Sequence, residues 1–412
     1  MNKTAELYYE SAYIKEFDAT VVACEAKQTK DGKTLYQIVL DKTAFFPEQG
    51  GQSSDIGTLE VCDKTGCGNA DNSRNNDNRL EISHVSIDKE GVIMHISDKE
   101  IAVGTKVHGA IDWAHRFSNM QQHTGEHIFS GIVHSKYGFE NVGFHLSDSE
   151  VTMDYNGVLS QEDIRDIELL VNQAIWENVS IRCEFPTKEE LDNIEYRSKK
   201  ELTGDVRIVT VEGYDVCACC APHVEKTGEI GILKVVGLQN YKGGVRVNIL
   251  CGKRALLYLQ SEHGIVSELS TMLTTSADKV IPSVKKLSEE NITLKSELTT
   301  AKEKLIEVEI AEIDKSLKDV FLIKEAGLDG NVMRKTVNAL IAEHSGLCAV
   351  FSGDEKSGYK FIIGSGSDGR DCKEAMEILK AECGAKGGGS PQMVQGSFVT
   401  DRINVVLSKL SC

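Results

Sequence analysis

The chain is 412 residues long, with a formal net charge of −17 and twelve cysteines. That length exceeds what one ordinary core organises and predicts two to four domains, while the acidic balance excludes a generally sticky nucleic-acid binder and confines any RNA contact to local basic patches. No apolar run approaches the roughly 18 residues that span a bilayer; the amino terminus lacks the basic-then-apolar layout of an export signal, and scattered cysteines without one point to a reducing cytoplasm.

Residues 1–105 read as a small β-barrel-like domain. Segments 19–26, 35–41, 80–87 and 91–96 are β-branched or alternating and are separated by Gly, Asp and Lys turns. Between them runs Thr43-Ala44-Phe45-Phe46-Pro47-Glu48-Gln49-Gly50-Gly51-Gln52. Paired glycines let backbone pass close to a ligand, and Thr43, Gln49 and Gln52 could bind one; a plain Gly-rich hairpin turn is the competing reading. Residues 63–79, rich in Asn, Asp and Gly, read as a solvated loop.

Residues 106–255 read as an α+β domain. A strand at 107–111 leads into a helix over 115–135, and a second helix follows at 161–177. Strands at 206–211, 231–238 and 244–251 complete it. The first helix contains Gln121-Gln122-His123-Thr124-Gly125-Glu126-His127, which places His123 and His127 one turn apart on one face. About a hundred residues on, the turn after strand 206–211 holds Cys217-Ala218-Cys219-Cys220-Ala221-Pro222-His223. Two histidines with Cys219 and His223 make the N and S donor set that zinc prefers; Cys217 and Cys220 compete with Cys219 for the thiolate position. His123-Thr124-Gly125-Glu126-His127 also fits the H-x-x-E-H pattern of inverzincin peptidases, with Glu126 as general base, but that chemistry needs an open coordination position that a fourth protein ligand would fill.

Residues 256–320 form a coiled-coil helical linker. Val284, Leu287, Asn291, Leu294, Leu298, Ala301, Leu305 and Val308 keep an unbroken three-four alternation, and Pro282 marks the helix start. The partner of this seam is either the helix at 254–274 or a second copy of the chain. Residues 321–412 read as an α/β domain with helices at 331–344 and 371–383, strands at 347–352 and 359–364, and the turn Gly387-Gly388-Gly389-Ser390-Pro391. Gly364-x-Gly366-x-x-Gly369 lacks the βαβ context of a dinucleotide site.

Three ordered motifs carry a resemblance. They are Phe45-Phe46-Pro47-Glu48-x-Gly50-Gly51-Gln52, Asp112-Trp113-x-x-Arg116 followed by Met120-Gln121-Gln122-His123-Thr124-x-x-His127, and Cys219-x-x-x-His223-Val224-x-x-Thr227-Gly228-x-Ile230-Gly231. Together they resemble the editing domain of alanyl-tRNA synthetase, and more closely the free-standing alanyl-tRNA editing proteins of the AlaX group. The coiled coil and Gly387-Gly388-Gly389-x-Pro391-x-Met393-x-Gln395-Gly396 resemble the carboxy-terminal DHHA1-type region of the long form. No Asp-His-His triplet supports the related DHH phosphoesterases.

The resemblance implies a cytoplasmic trans-editing hydrolase, free of an aminoacylation domain, that deacylates alanine-specific tRNA mischarged with serine, glycine being a second candidate. It implies a zinc site at His123, His127, Cys219 and His223, with Thr43 and Gln52 as the catalytic-pocket residues and Gly50 and Gly51 as its wall. A pocket selecting alanine cannot strongly reject a substrate that adds a hydroxyl, so a second hydrolytic site is needed. Candidate RNA contacts are Lys199, Lys200, Arg207, Lys242, Arg246, Lys253 and Arg254, with Gly387, Gly388 and Gly389 gripping the tRNA body. A zinc-stabilised tRNA-binding protein without catalysis is the alternative. This chain departs from the family at Gln49, where a third glycine is usual, and at Cys220-Ala221-Pro222, where Pro222 removes a backbone donor.

Overall fold

The computed structural model describes residues 3–62, 78–198, 205–368 and 370–411. Lys199 and Lys200, almost all of the 63–79 segment and Gly369 lie outside the described residues. The chain divides into two compact units, residues 1–265 and 266–412.

The first unit begins with seven strands: β1 (Glu16–Gln28), β2 (Thr34–Leu40), β3 (Gly57–Val61), β4 (Arg79–Ile82), β5 (His84–Ile87), β6 (Ile93–Ser97) and β7 (Lys106–Ile111). They form an antiparallel sheet in the order β4-β3-β7-β1-β2-β6-β5. Its two outer strands are consecutive in sequence, separated by Ser83 alone, whose N–H reaches the Ile96 carbonyl at 3.1 Å. One run of chain thus forms both edges of the sheet. Phe17, Phe45, Phe46, Leu59, Ile82 and Val107 fill it.

The rest of the unit wraps helix α1 (Trp113–Tyr137). Asp112 caps its start by accepting from the His115 N–H, and Gly138, at φ 70°, ends it in the left-handed conformation. After it come β8 (Asn141–Leu146), β9 (Val151–Tyr155), α2 (Gln161–Glu177), β10 (Ile181–Glu184), β11 (Ile208–Val211), β12 (Asp215–Ala218), β13 (Leu233–Tyr241), β14 (Gly244–Cys251) and α3 (Gly252–Met272). One sheet has the order β8-β9-β14-β13 and another β10-β11-β12. Every residue of α1 from Asn119 to Val133 is buried. A helix buried all round is ordinarily apolar all round; this one is polar, so each polar side chain needs a partner, and those partners organise the site.

The second unit contains α4 (Val280–Ala311), β15 (Val320–Lys324), α5 (Gly330–Glu343), β16 (Leu347–Asp354), β17 (Gly358–Ser365), α6 (Cys372–Cys383), β18 (Lys386–Gly389), β19 (Met393–Phe398) and α7 (Ile403–Leu410). Its sheet runs β15-β16-β17-β19-β18, parallel only between β15 and β16. Helix α5 and the end of α4 cover one face, and α6 and α7 cover the other. Gly364 lies within the antiparallel strand β17 and Gly366 just after it, so the parallel crossover of a dinucleotide fold is absent around them. No described helix is long and apolar enough to cross a membrane.

Candidate metal centre

Four side chains converge where α1 meets the turn after β12. One ligand atom from each of His123, His127, Cys219 and His223 lies within 4.8 Å of every other. Cys219 Sγ is 3.5 Å from His123 Nε2 and 3.4 Å from His223 Nε2. Tetrahedral zinc, with bonds of about 2.0–2.1 Å to nitrogen and about 2.3 Å to sulfur, sets neighbouring N and S donors about 3.5 Å apart, so the donor set fits that ion.

The ring nitrogens pointing away are each held. His123 Nδ1 meets Gln52 Oε1 at 2.7 Å, His127 Nδ1 meets Asp215 Oδ2 at 3.0 Å, and His223 Nδ1 meets Thr124 Oγ1 at 3.0 Å. The Gln52 oxygen and the Asp215 carboxylate only accept, so His123 and His127 carry their protons on Nδ1 and present bare Nε2 atoms inward, as ligation requires. Asp215 is itself clamped by Arg197, whose Nε and Nη2 reach it at 2.8 and 3.0 Å. Burial works against charge on both members of the His127–Asp215 pair, yet their contact holds the imidazole above and the carboxyl below their ordinary pKa values, with Arg197 also lowering the carboxyl.

Strand geometry decides among the cysteines. Successive side chains alternate across β12, so Asp215 and Cys217 share its buried face and Cys219 follows two residues beyond. Cys219 joins the three histidines, whereas Cys217 groups with His127 and Asp215, and burial pushes its thiol up to about 11. Cys220 points elsewhere: its Sγ lies 3.2 Å from where a Gly50 Cβ would stand.

The Gly50-Gly51 loop closes over the site from the barrel side. Leu146 N–H donates to Gly51 O at 2.7 Å and Ser53 N–H to Leu146 O at 2.9 Å, bringing Gln52 onto His123. Gly51 sits at φ 85°, and a Cβ there would stand 2.5 Å from Phe144 O, so no other residue fits without displacement. The Phe144 ring packs on His123 with centroids 4.7 Å apart. Gln52 is fully buried, and its Nε2 has no hydrogen-bond partner among the described residues. Thr43 is buried too, but its hydroxyl donates to His95 Nε2 at 2.8 Å and accepts from Phe45 N–H at 3.1 Å. The His95 Nδ1–H is taken by Ile38 O at 3.1 Å, which fixes that direction.

Glu126 does not sit as a peptidase base. Its Oε1 accepts from Ser130 Oγ at 2.7 Å and Asn141 Nδ2 at 2.6 Å, and His223 fills the position such chemistry would leave open. Gly125 is explained by packing: an added Cβ would stand 2.5 Å from Cys251 Sγ and 3.2 Å from Leu233.

Arg207 is a correction to the basic-patch reading. It is only 8% exposed, and its Nη1 donates to Cys219 O at 3.0 Å and Ala221 O at 2.8 Å, so it clamps the turn that carries Cys219 instead of facing solvent. Arg246 is held by Asp154 at 2.6 and 2.8 Å and lies over the Tyr241 ring. Arg254 is tied to Ser118, Asn119 and the Ser147 carbonyl. Lys242 and Lys253 are exposed, as are Gly387, Gly388 and Gly389 in β18. Sequence reasoning missed Asp215, Arg197 and Thr124 as supports; only the period-two spacing of Asp215 ahead of Cys219 hinted at the first. It also missed the Asp55–Arg116 pair as a pin between barrel and helix, although Arg116 stands in the matched motif. Both are fully buried, with Arg116 Nε at 3.0 and 2.8 Å from the carboxylate.

Comparison with known proteins places this geometry. Residues 1–115 match the family of class II (A) tRNA synthetases, and residues 206–248, which contain Cys219 and His223, match the threonyl and alanyl tRNA synthetase second additional domain. The alanyl-tRNA editing protein Aarsd1 of Rattus norvegicus is 28% identical over 297 residues, covering 69% of this chain and 67% of that protein. The chain is thus similar to alanyl-tRNA editing proteins. The alanine–tRNA ligases of Ignicoccus hospitalis and Pyrococcus furiosus are 28% and 29% identical over 397 and 413 residues, covering 94% and 96% of this chain. The chain spans about two-fifths of the length of those ligases, 40% and 42%.

Proposed function

We propose that the protein is a trans-editing aminoacyl-tRNA hydrolase that cleaves the ester of alanine-specific tRNA mischarged with serine, at a zinc-containing site formed by His123, His127, Cys219 and His223. The observation that carries the reading is the convergence of three histidine ring nitrogens and one cysteine sulfur in a chain related to alanyl-tRNA editing proteins. A zinc ion held there by these four side chains would supply a fixed positive charge beside the ester; four protein ligands make a closed set, the pattern of a metal that shapes a site.

The chain's own groups then do the positioning. Gln52 orients His123 through Oε1 and keeps a buried Nε2 donor in reserve. Leaving such a donor unpaired costs roughly 1–3 kcal/mol, which an acceptor oxygen of the bound aminoacyl ester relieves. Thr43, its proton committed to His95, keeps lone-pair capacity for the serine hydroxyl; alanine offers no proton there and is passed over. Glycine, which also lacks the hydroxyl, is then the poorer substrate. Lys242, Lys253 and the exposed glycines of β18 are the RNA contacts in this reading, and a drop in tRNA affinity with rising salt is its signature.

The test is release of amino acid from seryl- and alanyl-tRNA of the alanine type, by the parent chain and by Cys219→Ala. Rapid release from the seryl form, with loss of both zinc and release in Cys219→Ala, is the expected result. Full zinc content and full deacylation in Cys219→Ala would refute the ligand assignment, and binding without release by the parent chain would favour a non-catalytic tRNA-binding protein.

A further inference from the structure

Of the four candidate ligands, the three histidines are 2% exposed whereas Cys219 is half-buried, so the centre opens on the side of the cysteine turn. The sheet β10-β11-β12 leads away from that opening. Its register sets Glu184 opposite Ile208 and Ile208 opposite Ala218, and the Cys219 N–H continues it by donating to Arg207 O at 3.0 Å. One residue along, Phe185, Arg207 and Cys219 therefore form a row across the three chain segments, and cross-strand neighbours in such a row project from one face. Two strand spacings set Phe185 about 10 Å from Cys219.

Phe185 is 49% exposed and belongs to neither core cluster of the first unit. It is nevertheless braced. The Tyr9 ring meets it in an edge contact, with centroids 5.3 Å apart and planes at 82°. Tyr9 is fixed in turn by the Tyr8 ring at 4.6 Å and by the Arg207 guanidinium 5.4 Å from its centroid, and Arg207 is anchored on the Cys219 and Ala221 carbonyls. A scattered exposed apolar residue needs no explanation; this one is tied by two intermediates to the turn that carries a candidate ligand. Aminoacyl-tRNA bears its amino acid on the ribose of a terminal adenosine, so an ester held at the opening has an adenine one sugar away, within the span of this row. A base stacks on an aromatic face whatever its sequence context, and a braced ring gives up little freedom in receiving it.

We propose that Phe185, braced by Tyr9, is the stacking platform for the adenine of the substrate's terminal adenosine. The proposal rests on the hydrolase reading and adds a binding residue to it. Two non-hydrolysable probes separate the base from the aminoacyl group: 3′-serylamido-3′-deoxyadenosine, and its abasic counterpart in which hydrogen replaces the adenine. In calorimetric titrations of the full chain, Phe185→Ala should weaken the adenosine probe roughly 5- to 100-fold and leave the abasic probe unchanged, and Phe185→Trp should restore the parent affinity. A stack present equally in ground and transition states contributes uniform binding, so in serine release from seryl-tRNA the Phe185→Ala chain should show a KM raised by the same factor at unchanged kcat. Phe185 lies outside the cores, and unchanged circular dichroism confirms the fold of both variants. A parent chain that releases serine, with Phe185→Ala indifferent to the adenosine probe or weakened equally for both probes, would overturn the platform and leave the hydrolase reading standing. A parent chain that binds neither probe and releases no serine would remove that reading and the platform with it.

Discussion

Asp215→Asn should release metal without dismantling the fold, and the structure sets the size of the effect. Asp215 accepts the His127 Nδ1 proton at 3.0 Å and is held by two contacts from Arg197. Asparagine has the same shape and can still accept that proton, but the bond is no longer charge-assisted, and the imidazole becomes a weaker, less firmly oriented donor. Loss of such an outer partner typically weakens metal binding 10- to 100-fold, or about 1.4–2.7 kcal/mol. The substitution also leaves Arg197 without its counter-charge in a nearly buried position, which lowers stability for a separate reason. Asp215→Asn/Arg197→Met separates the two effects: it should recover stability in urea while its zinc affinity stays low. Competition with a chromogenic zinc chelator gives the affinity directly. Zinc held within twofold of the parent by both folded variants would show that Asp215 does not support the ligand, and the outer half of the proposed centre would fall.

Three further outcomes follow from the geometry. Burial pushes the His95 imidazole down to about 4. The unfolded chain, titrating near 6.5, takes up the proton first, so the stability tied to neutral His95 is complete above that pH and falls by about 3 kcal/mol as pH drops toward 4. Urea titrations of parent and His95→Gln across that window should diverge by this amount, and parallel curves would count against it. Asp55→Asn removes the partner of a fully buried guanidinium and should cost about 3–5 kcal/mol in chemical unfolding, whereas Asp55→Leu/Arg116→Met should recover much of it; a loss below 1 kcal/mol would mean that the pair does not pin the barrel to α1. Gly125→Ala should destabilise because its Cβ meets Cys251 Sγ and Leu233, while Gly264→Ala in α3, with open space around it, should stabilise by about 0.5–1 kcal/mol. Melting temperatures that moved in the same direction would contradict the packing described.

Much of this was readable from residue order. The extent of α1 follows from its cap and its terminal glycine, and the spacing of His123 with His127 and of Cys219 with His223 identified the donor set that the fold assembles. The alternating segments of the barrel and the seam of α4 are likewise periodic signals that local geometry obeys. What stayed hidden depends on tertiary contact. Strands β8 and β9 are short and mix polar with apolar residues; they pair with each other, and β9 pairs in turn with β14, nearly a hundred residues on. Arg207, Arg246 and Arg254 look like surface charge in a sequence, because nothing local distinguishes a solvated guanidinium from one folded back onto carbonyls or a carboxylate. Asp215 is similar: its role exists only because β12 runs past α1.

The polarity of α1 links fold to site. Gln121, Gln122, His123, Thr124, Glu126 and His127 are consecutive or nearly so, all are buried, and their partners come from the Glu229 carbonyl, the Cys251 backbone, Gln52, His223, Asn141 and Asp215. Besides the apolar area buried by Met120, Ile128, Phe129, Ile132 and Val133, the helix depends on each polar partner arriving, since each one missing leaves a buried donor or acceptor costing roughly 1–3 kcal/mol. The four candidate ligands are therefore placed by the same network that holds the helix, and that network reaches into the barrel through Gln52 and through the Asp55–Arg116 pair. Barrel and helix α1 belong to one compact unit, and the matched regions at 1–115 and 206–248, far apart in sequence, meet at a single site.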